Sequence, residues 1–141
     1  MTPEEQNVAY PIMDSIALTL GRYVFRPATE HALQAQVADI LTHDLATNNL
    51  TITREVATPG GRYDILVTID TGRAPLNIVL ELKLSASAPA VERQASRYAA
   101  STDVSAVMVV TTSQRLANEL RRAGSDQLGD KPFVVFALRS F

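Results

Sequence analysis

The chain contains no cysteine. That excludes structural disulfides, thiolate zinc sites, iron–sulfur clusters and cysteine nucleophiles. Histidine is nearly as scarce, with His31 and His43 the only two. They fall on different faces of one predicted helix, which argues against a two-histidine metal site. No apolar run approaches the roughly 20 residues that span a bilayer. The acidic start, Met1-Thr2-Pro3-Glu4-Glu5, has no signal-peptide pattern. No membrane partner is expected, and a cytoplasmic location is the compatible one. Positive charge is not in excess either. Thirteen Lys and Arg against 15 Asp and Glu leave a net charge of −2. With no bulk basic field, contact with nucleic acid has to be local, metal-assisted or weak. Ser85, Ser87 and Ser113 have no evident base partner, which sets a serine hydrolase aside.

What is present suffices for one domain. The 141 residues are 46% hydrophobic and 20% charged, an ordinary globular balance with enough apolar material for a core. There is no internal repeat, low-complexity segment or linker. Residues 1–26 read as an N-terminal helical extension. Pro11 is expected to open a short helix carrying Ile12, Ile16, Leu18 and Leu20, with Gly21 as its stop. Two places are open to it, against the domain or against a second copy. A longer helix is predicted over about 28–47, because Leu33, Val37, Ile40, Leu41 and Leu45 recur at helical spacing. Glu30 and Gln34 fall on or beside that stripe.

Leu50 to Ala57 alternates as a half-exposed strand, interrupted by Arg54. Thr58-Pro59-Gly60-Gly61 is a turn, and a strand runs on from Arg62 to Ile69. After a second turn, Asp70 to Pro75, comes Leu76 to Leu84. Three strands joined by short turns form an antiparallel meander. A helix over about 89–101 follows, with Val91, Ala95, Tyr98 and Ala99 facing inward. Val104 to Thr111 is a near-continuous apolar strand of the kind buried on both faces in a parallel position. Thr112-Ser113 caps a helix to about Arg122, Gly124 to Lys131 is a loop, and Pro132 to Leu138 is a last strand. The order predicts an α/β fold with a mixed central sheet flanked by helices.

The chemistry concentrates on the third strand of the meander. Leu76, Ile78, Leu80, Leu82 and Leu84 share one parity and are all apolar. The opposite parity holds Asn77, Val79, Glu81 and Lys83. A carboxylate and an ammonium therefore project from one face of a core strand, beside a strand that carries Asp64. Such groups are costly to bury unless they are paired or metal-bound.

These pieces, in this order, resemble the PD-(D/E)XK nuclease superfamily, with its αβββαβ restriction-endonuclease-like core. The match covers about residues 28–112. It rests on Glu30 in the first helix, Gly61-Arg62-Tyr63-Asp64-Ile65 at the second strand and Glu81-Leu82-Lys83 on the third. Gln94-Ala95-Ser96-Arg97-Tyr98 on the next helix looks like the QxxxY motif of the RecB and lambda-exonuclease branch. Arg62-Tyr63 stands where the name-giving proline would precede the acid. The resemblance implies a magnesium-dependent deoxyribonuclease, with manganese as a substitute ion. Asp64 and Glu81 would be metal ligands, joined by the Leu82 carbonyl, since magnesium takes hard oxygen donors. Lys83 would orient the attacking water and offset phosphate charge. Glu30 would hold a second metal or a metal-bound water, or else serve only the dipole of its helix. Gln94 and Tyr98 would line the site, although Tyr98 also reads as a core residue. Arg62, Arg93 and Arg97 are candidate phosphate contacts or solvated cations. DNA is the implied partner, an RNA-directed nuclease is an alternative, and a homodimer or partner protein fits the small size. A further alternative is an inactive or conditionally active nuclease-fold module that binds rather than cuts.

Overall fold

Alternating and near-continuous apolar segments assemble one six-stranded mixed sheet in the computed structural model, which describes residues 3–123 and 127–140. Helix α1 (Pro3–Leu20) leads to the short strand β1 (Val24–Phe25) and helix α2 (Glu30–Asp44). Three strands follow, β2 (Leu50–Thr58), β3 (Gly61–Ile69) and β4 (Leu76–Lys83). Next come α3 (Ala88–Ala99), β5 (Ala106–Thr111) and α4 (Gln114–Arg122). The chain closes with β6 (Gln127–Leu128), β7 (Lys131–Ala137) and β8 (Arg139–Ser140). The sheet order is β2-β3-β4-β5-β7-β6. β2, β3 and β4 form the antiparallel meander, while β4, β5 and β7 run parallel. Parallel neighbours need crossovers, and α3 and α4 supply them.

The helices cover both faces, which gives two cores. Leu76, Ile78, Leu80 and Leu82 of β4 pack on the α1 and α2 side. Val79 packs on the other side with Val91, Ala95 and Tyr98 of α3 and Leu116 and Leu120 of α4. The starts of α2, α3 and α4 have a local cause. Thr29, Ser87 and Ser113 are N-caps whose side chains accept the amide protons of Ala32, Ala90 and Leu116.

The N-terminal helix corrects one expectation. It begins at Pro3, not at Pro11, and carries Pro11 inside it. A proline within a helix costs about 3 kcal/mol. Burial outweighs that cost, because Met13, Ile16 and Leu20 are completely enclosed and each contributes roughly 1.5–3 kcal/mol. Of the two places open to it, α1 takes the one against the domain and is one wall of the core. Leu18, expected among its apolar positions, is instead 70% exposed. Ile16→Val should lower stability by about 1 kcal/mol in urea unfolding. An unchanged midpoint would mean that α1 is not docked in solution.

The remaining differences are small. β1 pairs with β8 in a two-residue parallel ladder. Part of the expected loop after α4, Gln127–Leu128, is a strand paired with β7. Residues 124–126 of that loop lie outside the described residues. Among the described residues no helix is long and apolar enough to cross a membrane.

Candidate functional site

The site lies where β3 leaves β4. The β3–β4 ladder ends at Ile65 opposite Leu80, while the β4–β5 ladder continues to Lys83 opposite Thr111. On the outer side, Arg54 pairs with Ile65 and Val56 with Tyr63, and Glu55 between them has φ 52°. That left-handed conformation is strained for a residue with a Cβ. β3 turns over at the same level. Ile65 packs on the α1 and α2 side, but Tyr63, of the same parity, packs on the α3 side. Asp64 sits at the turnover. Its Oδ2 accepts a hydrogen bond from the Leu82 amide at 2.8 Å, so a side-chain carboxylate replaces the ladder carbonyl that has moved away.

Glu81 stands across this gap. It is 2% exposed, and its Oε1 has no hydrogen-bond partner among the described residues. Its Oε2 lies 3.9 Å from Lys83 Nζ, an ion-pair separation too long for a hydrogen bond. Burial pushes the Glu81 carboxyl up to about 8, and the neighbouring Asp64 charge adds to the rise. Asp64 is raised as well, chiefly by burial, while the Leu82 amide and Lys83 pull it down and Glu30 pushes it up. The interaction between the two carboxyls raises Glu81 and lowers Asp64, which holds the proton on Glu81 and favours the charge on Asp64. Two carboxyls and one ammonium thus meet in a largely dry gap.

Two helices face it from opposite sides of the sheet. From α2, Glu30 Oε2 accepts the Leu84 amide at 3.2 Å just past the end of β4. The first-turn acid of α2 is therefore also a clasp on the strand that carries Glu81. One turn on, the buried Gln34 reaches Asp64 Oδ1 at 3.5 Å. From α3, Gln94 Nε2 donates to the Tyr98 hydroxyl at 3.0 Å, and that hydroxyl donates to the Arg62 carbonyl at 3.0 Å. Tyr98 is buried edge-on against Tyr63, with ring centroids 4.9 Å apart. Burial, and then the charge of Glu81, push its hydroxyl up to about 12. Its bonds go inward, so Tyr98 fixes the start of β3 beside Asp64. Gly61 enters this corner at φ 141°, with the Tyr98 ring 3.6 Å from where a Cβ would stand.

The arginines are dispersed. Arg62 is exposed, 3.8 Å from Glu55, which also pairs with His31 at 3.4 Å. Arg93 and Arg97 line a shallow depression on the outer side of α3 with Glu92 and Ser96. Asp64, Glu81, Lys83 and Glu30 are brought to one end of β4, whereas Arg93 and Arg97 are not part of that gap. Leu82 enters through its amide. Gln34, Arg54 and the strained Glu55 were not expected at the site. Their only sequence signals are the helical spacing of Gln34 from Glu30 and the break in alternation at Arg54.

Among the described residues, no three His, Asp or Glu side chains converge as a metal-ready cluster. Asp64 and Glu81 offer two hard oxygen donors, and the orphaned Glu81 Oε1 is a buried acceptor in need of a cation or a proton. That donor set fits magnesium if backbone and solvent oxygens complete it. Comparison with protein-family models, with characterised proteins and with solved structures returned no match.

Proposed function

We propose that this chain is a metal-dependent nuclease with a restriction-endonuclease-like PD-(D/E)XK core that hydrolyses phosphodiester bonds of DNA. One observation carries the reading. A carboxyl buried in the middle of a sheet, Glu81, is left without a hydrogen-bond partner for one oxygen, beside a second carboxyl and an ammonium. A purely structural core gains nothing from this arrangement, because buried charge destabilises unless it is compensated. Asp64 and Glu81 would hold a divalent cation. When bound, such an ion polarises the phosphate and makes water more acidic.

The protein's own groups divide the remaining work. The Leu82 amide holds Asp64 in one orientation. Lys83, with 19% of its side chain exposed, can reach both the gap and an incoming phosphate. It offsets phosphate charge and steers the attacking water. Gln94 and Tyr98 hold the start of β3, and with it the entry to the gap. Arg62 at the rim is the nearest candidate for contact with a neighbouring phosphate.

The test is incubation with linear, circular and single-stranded DNA and with RNA, in magnesium, manganese or EDTA. Cleavage of DNA that needs the divalent ion supports the reading. Cleavage of RNA alone moves the substrate class. No cleavage of any substrate favours a nuclease-fold binding module. In parallel, calorimetry should find micromolar to millimolar magnesium or manganese affinity that is lost in Asp64→Ala and weakened in Glu81→Ala. Equal binding by all three proteins would place the ion elsewhere.

A further inference from the structure

Asp64 Oδ1 and Oδ2 have different holders. Oδ2 takes the Leu82 amide at 2.8 Å, whereas Oδ1 is met by Gln34 Nε2 at 3.5 Å. Gln34 is 5% exposed, and a buried primary amide needs partners at both ends. Its oxygen accepts from Arg54 Nε at 3.3 Å and from Arg54 Nη2 at 3.0 Å. A guanidinium only donates. Arg54 therefore decides which way round the Gln34 amide sits, and the NH2 end must face Asp64. The reversed amide would put its oxygen against the Asp64 carboxylate and its hydrogens against Arg54. Arg54 itself is an exposed residue of β2, paired with Ile65 and so adjacent in register to Asp64. Three elements, β2, α2 and β3, are linked in line by these bonds, and the line ends on the carboxylate at the gap.

We infer that Arg54 and Gln34 form a positioning relay that fixes the orientation of the Asp64 carboxylate, so that one oxygen stays on the Leu82 amide and the other is presented to a bound divalent cation. The cation part rests on the nuclease reading, while the orientation part does not. The weak 3.5 Å bond suits the task, because Oδ1 is steered without being fully engaged. Gln34 and Arg54 touch no reacting atom in this scheme and act through Asp64. Groups that orient a metal ligand from behind are typically worth about 10- to 100-fold in metal affinity.

The variants are Gln34→Met, Arg54→Met, Arg54→Lys and the double Gln34→Met/Arg54→Met. The first readout is the amide resonance of Leu82 in metal-free protein, since that amide bonds Asp64 directly. The second is manganese affinity by electron paramagnetic resonance. Gln34→Met should shift the Leu82 amide and lower manganese affinity about 10- to 100-fold. Arg54→Met should do the same to a smaller extent, and Arg54→Lys should recover part of it by keeping one donor. In the Gln34→Met background, Arg54→Met should add nothing, because the relay is already cut. A buried glutamine that merely ties α2 to β2 would lose stability on substitution but leave the Leu82 amide where it was. An unmoved amide, or strictly additive effects in the double variant, overturns the relay. If Gln34→Met fails to fold, the surface variant Arg54→Met decides by the same amide. A shifted amide in a protein that neither binds manganese nor cuts DNA leaves the relay standing and removes the nuclease reading.

Discussion

Lys83→Ala is expected to slow DNA cleavage by about 10²–10⁴-fold, the usual contribution of a positioned proton-transfer group. Its affinity for magnesium should hold or rise. Both halves follow from where the ammonium sits. Lys83 lies two residues from Glu81 on the same strand face, with Nζ 3.9 Å from Glu81 Oε2. It is beside the carboxyls, and 19% of its side chain is exposed. Removing it takes a cation away from two carboxyls and ends its competition with a metal ion. The comparison belongs above pH 8, where the Glu81 proton no longer competes as well. Lys83→Arg should not restore turnover, since a planar guanidinium does not fit the position of a compact ammonium. Single-turnover cleavage at saturating metal separates the chemical step from binding. Equal rates for Lys83→Ala and wild type would show that the chemistry is elsewhere, whatever the fold.

Metal-free protein should lose stability as pH rises from about 4.5 to about 8, and Glu81→Gln should abolish most of that loss. An unfolded glutamate releases its proton near 4.5, whereas folded Glu81 keeps its proton up to about 8. Between those values the native state binds more protons than the unfolded state, so stability falls with pH. It is fully present below the unfolded value and is lost as pH climbs to the folded one. Asp64 is also raised, mainly by burial, and acts in the same direction. One pH unit over which a single proton differs is worth about 1.4 kcal/mol, so the loss is several kcal/mol at most. Glutamine keeps the shape, stays neutral and can donate to Asp64. Urea unfolding in EDTA at pH 5 and above pH 8 measures both proteins. Near-parity at pH 5 and a more stable Glu81→Gln at high pH is the expected pair of results. Parallel pH dependences would mean that Glu81 titrates normally. Added magnesium should stabilise the wild type at high pH by binding only the native state, and Glu81→Gln much less.

Much of the scaffold was legible in local pattern. The parity of Leu76 to Leu84 announced a strand with a charged second face, and the turn at Pro59-Gly60 announced the hairpin before it. The small residues before α4 signalled the Ser113 cap. Glu81 and Lys83 were legible as charges on one face of a core strand, and Asp64 as an acid near the start of the strand beside it. The readings that failed were those in which distant packing overrides local chemistry. Pro11 is a good helix opener in isolation, yet Met13, Ile16 and Leu20 hold a helix through it. β1, β6 and β8 are two residues each, too short to carry a period. The turnover of β3 between Tyr63 and Ile65 has no counterpart in composition, since both residues are apolar and in phase. Gln34 and Arg54 reach partners 30 and 20 residues away, beyond any window in which spacing could show them.

The meander that carries the two carboxyls has a consequence for how the molecule assembles. Asp64 and Glu81 belong to neighbouring strands joined by one short turn, so the entropy of closing that loop is small. The parallel pairings of β4 with β5 and of β5 with β7 each wait on a helical crossover, and contacts between distant residues form slowly. The acids thus meet early, in a hairpin still open to solvent, where water screens their repulsion. In the folded protein α3 packs on that face, and burial is what turns two tolerated neighbours into a costly pair. The electrostatic burden of the site therefore comes from the packing of the helices over the hairpin, not from the hairpin itself.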